Sequence, residues 1–249
     1  MRILRIDASG TTEFDDALAV EEPLEIRVND KPISVTLRTP GDDFDLAAGF
    51  LFTESILRDA SDVESFRHWA SPNVVRVGLR DGVRVDLARL QRNFYSASSC
   101  GVCGKTSIDA VRVHTTALDA PLRVPREVIV SLPDKLREQQ KSFDATGAIH
   151  GAGIFAADGT LLRMREDVGR HNAVDKVIGS FFRDGESLAG RILVVSGRAS
   201  FEIVQKAIVA RIPVLAAVGA PSTLAVELAR ELGLTLYGFV RGERFNQYA

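Results

Sequence analysis

The sequence predicts an α/β protein with a mixed sheet flanked by helices in its C-terminal half and a smaller β-rich α+β part before it. Three apolar runs, Ile192 to Val195, Val214 to Val218 and Leu234 to Phe239, are each linked to the next by a helical segment. Such runs are typical of parallel strands that are buried on both faces. An earlier strand pair around the Asp158-Gly159 turn supplies an antiparallel part, which makes the sheet mixed.

The first part of the chain is expected to be rich in β-structure. Apolar and polar residues alternate about a turn in two stretches, which predicts hairpins over Leu24 to Arg38 and over Asn73 to Leu87. Between them, apolar residues at helical spacing predict helices over Asp45 to Ile56 and over Val63 to Trp69. The helices are expected to pack on the hairpins.

Prolines divide the segment between the two halves. Pro121 to Gln140 includes Pro125 and Pro133, so we predict a connection with one helix after Pro133 rather than one long helix. The expected division of the chain is 1–120 for the β-rich part with the cysteine loop and its helix, 121–144 for the connecting segment and 145–249 for the α/β domain.

Composition and charge exclude several classes of protein. The 249 residues include 31 Lys and Arg against 33 Asp and Glu, and a formal charge of −2 argues against bulk attraction to nucleic acid or an anionic membrane. The apolar stretch from Ala207 to Val218 is cut by Arg211 and Pro213, and the N-terminal residues have no apolar signal core. We therefore expect a cytoplasmic protein with no membrane or nucleic-acid partner, whose anionic ligands are held locally.

The chain has two cysteines, Cys100 and Cys103, which are too few for a disulfide framework. They lie in a small, polar stretch that is predicted to be a loop entering a helix. The unpaired N–H groups at a helix start favour the thiolate, and Lys105 adds a positive charge. Gly101 and Gly104 leave room for another protein to approach the sulfur. We therefore predict that these thiols are chemically active.

Three other uses of a C-x-x-C pair compete with this prediction. A thioredoxin-like redox motif should follow the first strand of a βαβ unit near the N-terminus, whereas this pair follows two predicted hairpins. A zinc site needs two more ligands, and the four histidines are single and scattered: His68, His114, His150 and His171. Inert structural thiols prefer apolar neighbours to Ser and Gly. The context disfavours all three.

Two strand-to-helix turns carry candidate ligand contacts. Ser196-Gly197 and Gly219-Ala220-Pro221-Ser222 each follow a buried strand and open a helix, where backbone N–H groups of open α/β sheets bind phosphate. Routine capping of the helices by serine explains the same pattern equally well.

One predicted helix places His171 and Asp175 four residues apart on one face. Asp175 could orient the imidazole for proton transfer or for a contact with a cofactor. The alternative is a solvated helix face, with the intervening apolar residues turned to the core.

Two long segments, Ser98 to Lys105 and Glu166 to Lys176, closely resemble the formate dehydrogenase accessory sulfurtransferase family. The resemblance continues through Ser196 to Glu202, Gly219 to Ser222 and Phe239 to Asn246, and it covers nearly the whole chain. It implies a cytidine-deaminase-like α/β core and a homodimer.

The resemblance also implies the activity of a sulfur carrier. A cysteine desulfurase would place sulfur on Cys100 as a persulfide, with Cys103 as an assisting or resolving thiol. The sulfur would then pass to the molybdenum cofactor, bis-molybdopterin guanine dinucleotide, before that cofactor is inserted into formate dehydrogenase. The cofactor would be a bound substrate, and a GDP-like nucleotide would mimic it.

The family's cofactor-binding segment maps onto Phe239, Val240, Arg241, Gly242, Glu243 and Arg244. Its two arginines suit phosphate recognition by charge and by planar geometry. With the resemblance, Ser196, Gly197, Gly219, Ser222 and His171 become further expected cofactor contacts.

The chain departs from true deaminases at their zinc motifs. Where those enzymes carry H-x-E and P-C-x-x-C, this chain has His171-Asn172-Ala173 and Ser196 to Ser200. We therefore expect neither bound zinc nor base deamination. The principal alternative to a sulfur carrier is a non-catalytic chaperone that binds and shields the molybdenum cofactor. The role of the thiols distinguishes the two, because they hold sulfur in a carrier and only bind the metal or the cofactor in a chaperone.

Overall fold

The computed structural model describes residues 1–85, 116–118 and 121–249. The predicted loop and helix around Cys100 and Cys103 lie outside the described residues. The expected boundary at residue 120 stays a prediction.

An antiparallel strand pair and a mixed four-stranded sheet open the chain. Strands β1 (Arg2–Asp7) and β2 (Gly10–Asp15) form a two-stranded sheet. Strands β3 (Glu22–Val28), β4 (Lys31–Arg38), β5 (Val63–Trp69) and β6 (Ser71–Leu79) form a four-stranded sheet in the order β4-β3-β6-β5. The central strands β3 and β6 of the mixed sheet are parallel. The antiparallel pairing of β3 with β4 confirms the first predicted hairpin.

The prediction of a helix over Val63 to Trp69 was wrong, because this segment is strand β5. It pairs antiparallel with β6 through a tight turn at Ala70. The partner of β6 in its hairpin therefore precedes it, whereas the sequence pattern placed that partner after Gly82. Val63 is buried and Phe66 packs against the same core, so β-branched and aromatic residues fit the half-buried face of a sheet here.

Helix α1 (Asp43–Thr53) confirms the predicted helix over Asp45 to Ile56, with its ends shifted towards the N-terminus. Its buried residues share one core with the four-stranded sheet, as predicted. That core includes Leu46 and Leu51 of the helix and Leu24, Ile26 and Val75 of the strands.

The connecting segment contains two helices, α2 (Arg126–Arg137) and α3 (Lys141–Thr146). Helix α2 begins before Pro133 and includes it, which corrects the prediction of a helix only after this proline. Ile129, Leu132 and Leu136 of α2 are buried against the C-terminal sheet. Tertiary packing of this apolar face outweighs the backbone hydrogen bond that a proline removes.

The C-terminal sheet has six strands in the order β12-β11-β10-β9-β7-β8. They are β7 (His150–Phe155), β8 (Leu161–Asp167), β9 (Ile192–Val195), β10 (Val214–Ala217), β11 (Thr235–Arg241) and β12 (Arg244–Gln247). Strands β9, β10 and β11 are parallel, and β7 is antiparallel to both β8 and β9. This topology confirms the predicted mixed sheet and its three buried parallel strands.

Three helices cover one face of this sheet: α4 (Arg170–Arg183), α5 (Phe201–Val209) and α6 (Thr223–Leu232). Helix α2 covers the opposite face. Every residue from His171 to Phe182 is buried, because α1 packs on the side of α4 that faces away from the sheet. Within the described parts of the chain, no helix has the length and apolar character needed to cross a membrane.

Candidate functional site

The candidate site lies at one edge of the C-terminal sheet. Because β7 is antiparallel to both of its neighbours, β8 runs in the same direction as β9, β10 and β11. The carboxyl ends of these four strands therefore meet at one edge, which we call the carboxyl edge. Helices α4, α5 and α6 begin there, directly after β8, β9 and β10. Open α/β sheets bind ligands at such an edge.

Backbone hydrogen bonds hold the two predicted strand-to-helix turns together. Gly219 N–H donates to the Gly197 carbonyl at 2.9 Å, and Ser222 N–H donates to the Ala199 carbonyl at 3.1 Å. A Cβ built on Gly219 would lie 2.9 Å from the Gly197 oxygen and 3.0 Å from Arg198 Cα. The glycine at 219 is therefore required by the close approach of the two turns, whether or not it also contacts a ligand.

The predicted cofactor segment joins the same network at its first residue. Phe239 N–H donates to the Gly219 carbonyl at 3.0 Å, at a bulge where the pairing of β11 with β12 shifts register. Phe239 has φ 53° and its side chain is 39% exposed. A left-handed conformation is unfavourable for a bulky residue, so the surrounding structure must hold Phe239 in it.

The rest of the segment divides between the core and the surface. Val240 is fully buried, so its side chain belongs to the core and only its backbone is available to a ligand. Arg241 and Arg244 are exposed on either side of the turn formed by Gly242 and Glu243, and Arg241 Nε donates to the Val218 carbonyl at 3.3 Å.

The two predicted serines have structural partners. Ser196 Oγ accepts a hydrogen bond from Gly151 N–H at 3.0 Å, which ties the end of β9 to β7. Ser222 Oγ accepts from Ala225 N–H at 3.3 Å and caps α6. The capping alternative is therefore confirmed for Ser222.

His171 lies in the first turn of α4 and is 4% exposed. Its Nε2 is 3.1 Å from Ser200 Oγ and 3.7 Å from Glu202 Oε2. Burial raises the pKa of Glu202, but hydrogen bonds from His171, from its own backbone and from Ser200 outweigh burial and lower that pKa from 4.5 to about 2. Ser200 and Glu202 approach the same ring nitrogen, unlike a hydrolytic triad, in which the acid binds the opposite one.

The predicted pairing of Asp175 with His171 is wrong. Asp175 Oδ1 accepts from Thr53 Oγ1 at 2.8 Å, and both of its carboxylate oxygens accept from Lys206 Nζ at 2.9 Å. The solvated-face alternative is also wrong, since the whole face is buried. Sequence reasoning missed Ser200 and Glu202 as partners of His171; the only available signal was that α4 and α5 both begin after strands of the same sheet.

Asp167 fixes the start of α4. Its carboxylate accepts hydrogen bonds from Gly169 N–H at 2.8 Å and from Thr39 N–H at 3.1 Å, and it pairs with Lys176 Nζ at 2.8 Å. Asp167 is fully buried, so these bonds stabilise its charge. They also connect the N-terminal part of the chain to the carboxyl edge.

The carboxyl edge is electropositive. Four arginines lie there, and none forms an ion pair with another described residue: Arg170, Arg198, Arg241 and Arg244. Of the carboxylates near this edge, Asp167 is engaged by Lys176 and Glu202 by His171, while Glu243 lies in the exposed turn between Arg241 and Arg244. Burial lowers the pKa of His150, the first residue of β7, and the charges of Arg170 and His171 lower it further. This edge therefore suits an anionic ligand.

The search for a metal centre covers only residues 1–85, 116–118 and 121–249. Among them, no three His, Cys, Asp or Glu residues are grouped so that they could hold a metal ion. Cys100 and Cys103 lie outside these ranges, so the expected absence of zinc stays a prediction.

Comparison with known proteins agrees with the sequence resemblance. The model of the FdhD/NarQ family matches residues 19–249. The chain is 50% identical to the sulfur carrier protein FdhD of Streptomyces coelicolor, with 100% of this chain and 92% of that protein covered. It is 47% identical to the sulfur carrier protein FdhD of Mycobacterium tuberculosis, with 99% and 95% covered.

A solved structure shows the same fold. It is that of a protein from Desulfotalea psychrophila described as a formate dehydrogenase accessory protein, and it matches with a TM-score of 0.78 and 26% sequence identity. The match covers 100% of this chain and 95% of that one. Together, the family match and the full-length relatives show that this chain belongs to the FdhD/NarQ family.

Proposed function

We propose that this protein is a cytoplasmic, homodimeric sulfurtransferase that matures formate dehydrogenase. It accepts sulfur from a cysteine desulfurase as a persulfide on Cys100 and passes the sulfur to bis-molybdopterin guanine dinucleotide before that cofactor enters formate dehydrogenase. The names of the relatives support a role in carrying sulfur and in assisting formate dehydrogenase.

The observation that carries the cofactor part of the proposal is the electropositive carboxyl edge. A dinucleotide presents a pyrophosphate, and guanidinium groups bind phosphate through paired hydrogen bonds. Arg198, Arg241 and Arg244 are exposed at this edge and form no ion pair with another described residue. The exposed ring of Phe239 adds an aromatic face beside them.

The sulfur chemistry requires a reactive thiolate. Cys100 in its thiolate form would attack the outer sulfur of the desulfurase persulfide, forming a new S–S bond while the desulfurase cysteine leaves as a thiolate. No net oxidation occurs, because the sulfane sulfur moves between two thiols. Cys103, three residues further on, would then assist release of the sulfur to the cofactor.

Mass analysis after incubation with a cysteine desulfurase and cysteine tests this proposal. We expect the added mass of one sulfur atom, which reductant removes, and a label that maps to Cys100. Cys100→Ser should abolish both the label and maturation of formate dehydrogenase, because an alcohol does not ionise near neutral pH. Cys103→Ser should lower maturation less.

The same experiment decides against the proposal if the sulfur is found only on Cys103, or if Cys100→Ser matures formate dehydrogenase normally. Sulfur only on Cys103 would move the carrier role to that thiol, whereas normal maturation by a Cys100→Ser protein that takes up no sulfur would favour the chaperone alternative, which needs the cofactor site but no persulfide.

A further inference from the structure

We propose that Arg170 and His150 form a subsite for the pyrophosphate group of the guanine nucleotide, at the β8 and β9 side of the carboxyl edge. This inference rests on the proposed function, because it names the part of the cofactor that these two side chains bind. It adds a cationic group separate from Arg241 and Arg244, which lie at the far side of β10 in the turn between β11 and β12.

Among the described residues, no hydrogen bond or ion pair accounts for the position of the Arg170 side chain. Its Nε is buried without a hydrogen-bond partner, and the guanidinium forms no ion pair with another described residue. A buried charged donor left unsatisfied is costly, so such a group is usually paired. Arg170 is also the first residue of α4, where the positive end of the helix dipole disfavours a cation. An anionic ligand accounts for both features.

Arg170 and His150 converge on the backbone of one glycine. A Cβ built on Gly197 would lie 3.5 Å from His150 Nδ1 and 3.9 Å from Arg170 Cδ. Because glycine has no side chain, the two cation-forming groups and the backbone of the turn after β9 border the same small space. A side chain at position 197 would occupy part of it.

His150 complements the arginine as a hydrogen-bonding group. The groups whose charges act on its ring are Arg170, His171 and Asp167, and Asp167 is itself paired with Lys176. Burial and the charges of Arg170 and His171 lower the pKa of His150, which favours the neutral imidazole, and a neutral imidazole still donates one hydrogen bond. A bound phosphate would neutralise the charge of Arg170 and accept the hydrogen bond that His150 donates.

Gly219 lies between this subsite and the predicted cofactor segment. Its N–H donates to the Gly197 carbonyl, and its carbonyl accepts from Phe239 N–H. Strands β9 and β11 are two positions apart in the sheet, which places the two groups about 10 Å from each other. A ligand that contacts both would cross the Gly219 backbone.

Calorimetric titration of the full-length protein tests the subsite. The probes are GDP, guanosine and inorganic pyrophosphate, and the variants are Arg170→Ala, Arg170→Lys and His150→Gln. The control is Arg191→Ala: Arg191 is also half-buried with a buried, unpartnered Nε, but it precedes β9 at the opposite edge of the sheet. Circular dichroism and the thermal midpoint without ligand establish that each variant is folded.

We expect Arg170→Ala to weaken GDP and pyrophosphate binding about tenfold or more while guanosine binding is unchanged. His150→Gln should weaken both phosphate probes less. Arg170→Lys should keep part of the affinity, because lysine retains the charge and loses the forked geometry. It also serves as the test variant if Arg170→Ala does not fold. Arg191→Ala should bind all three probes like the wild type.

Unchanged GDP affinity in Arg170→Ala, or in Arg170→Lys if the alanine variant does not fold, would overturn the subsite and leave the proposed function standing. An equal loss of guanosine and GDP binding would also overturn it, since Arg170 would then support the whole site. If the wild type binds pyrophosphate through Arg170 but does not bind GDP, the guanine cofactor of the proposed function is wrong and the anion subsite stands. A wild type that binds neither phosphate probe overturns the inference.

Discussion

Gly49 of α1 and Gly179 of α4 lie at a helix crossing where each helix backbone contacts the other. A Cβ built on Gly49 would overlap the carbonyl oxygen of Asp175, and one built on Gly179 would overlap the carbonyl oxygen of Asp45. Helix α1 belongs to the core of the four-stranded sheet, whereas α4 covers the C-terminal sheet. The two glycines therefore allow the two parts of the chain to pack closely.

We expect Gly49→Ala and Gly179→Ala each to lower the free energy of unfolding by about 1–3 kcal/mol or more, because an added methyl group forces the helices apart. In an unobstructed helix the same change raises the free energy of unfolding by about 1 kcal/mol. The sign of the change therefore shows whether the two helix backbones are in contact. Urea denaturation measures the effect. Gly197→Ala is the control, since its added Cβ meets its neighbours at ordinary contact distances. A stabilised Gly179→Ala protein would contradict this packing.

Lys206 and Asp175 form a buried ion pair, with Lys206 Nζ also donating to Thr53 Oγ1 at 2.9 Å. Lys206→Met should lower the free energy of unfolding by about 3–5 kcal/mol, because it leaves a buried carboxylate without a cation. The double variant Lys206→Met/Asp175→Asn should recover part of this loss. A double-mutant cycle measured by chemical denaturation checks the coupling, and strictly additive losses would show that the pair is not coupled.

The left-handed backbone of Phe239 is expected to lower the stability of the fold, and its exposed ring is expected to contact the ligand. Phe239→Gly should raise the free energy of unfolding by about 1 kcal/mol through relief of the left-handed backbone, and it should weaken GDP binding by loss of the aromatic face. Ser55 has a similar φ of 56° in the turn after α1, outside the predicted cofactor segment, so Ser55→Gly serves as the control. It should affect stability alone. Equal GDP affinity in wild type and Phe239→Gly would show that the ring does not contact the ligand.

Glu202 is expected to make stability depend on acid pH. The pKa of this carboxyl falls from 4.5 to about 2 on folding, so its contribution is complete above pH 4.5 and is lost as the pH falls from about 4.5 towards about 2. Glu202→Gln should flatten the unfolding free energy in this range, and exposed Glu127→Gln should leave the profile unchanged. Denaturant titrations at a series of pH values test this. An unaltered profile in Glu202→Gln would mean that folding does not lower the pKa of this carboxyl.

We expect the purified protein to hold no stoichiometric zinc. The positions where deaminases carry the shuttle glutamate and the thiolates hold Ala173, Ser196, Arg198 and Ala199. Metal analysis of wild type and Cys100→Ser checks this expectation. One tightly held zinc per chain that is lost in the variant would show that the cysteines are metal ligands.

Local patterns predicted much of the fold but failed where packing decides. The apolar runs of β9, β10 and β11 are continuous, which distinguishes buried parallel strands without further information. Val63 to Trp69 carries apolar residues whose spacing also fits a short helix, and only pairing with β6 selects the strand. The local pattern predicts a helix only after Pro133, because it does not contain the long-range packing of α2 on the sheet that keeps the residues before this proline helical.

For the candidate site, the sequence by itself determined the cysteine pair, the family resemblance and the residues of the strand-to-helix turns, because each of these is encoded within a short stretch of chain. Only the tertiary structure decided which polar groups meet. Asp175 pairs with Lys206, which is 31 residues away, and with Thr53, which is 122 residues away, instead of with His171 four residues before it. Helical spacing brings His171 and Asp175 near to each other, but the buried carboxylate takes the strongest donors that packing brings within reach. Arg170 is left without such a partner for the same reason, because packing of the described residues brings no carboxylate to it.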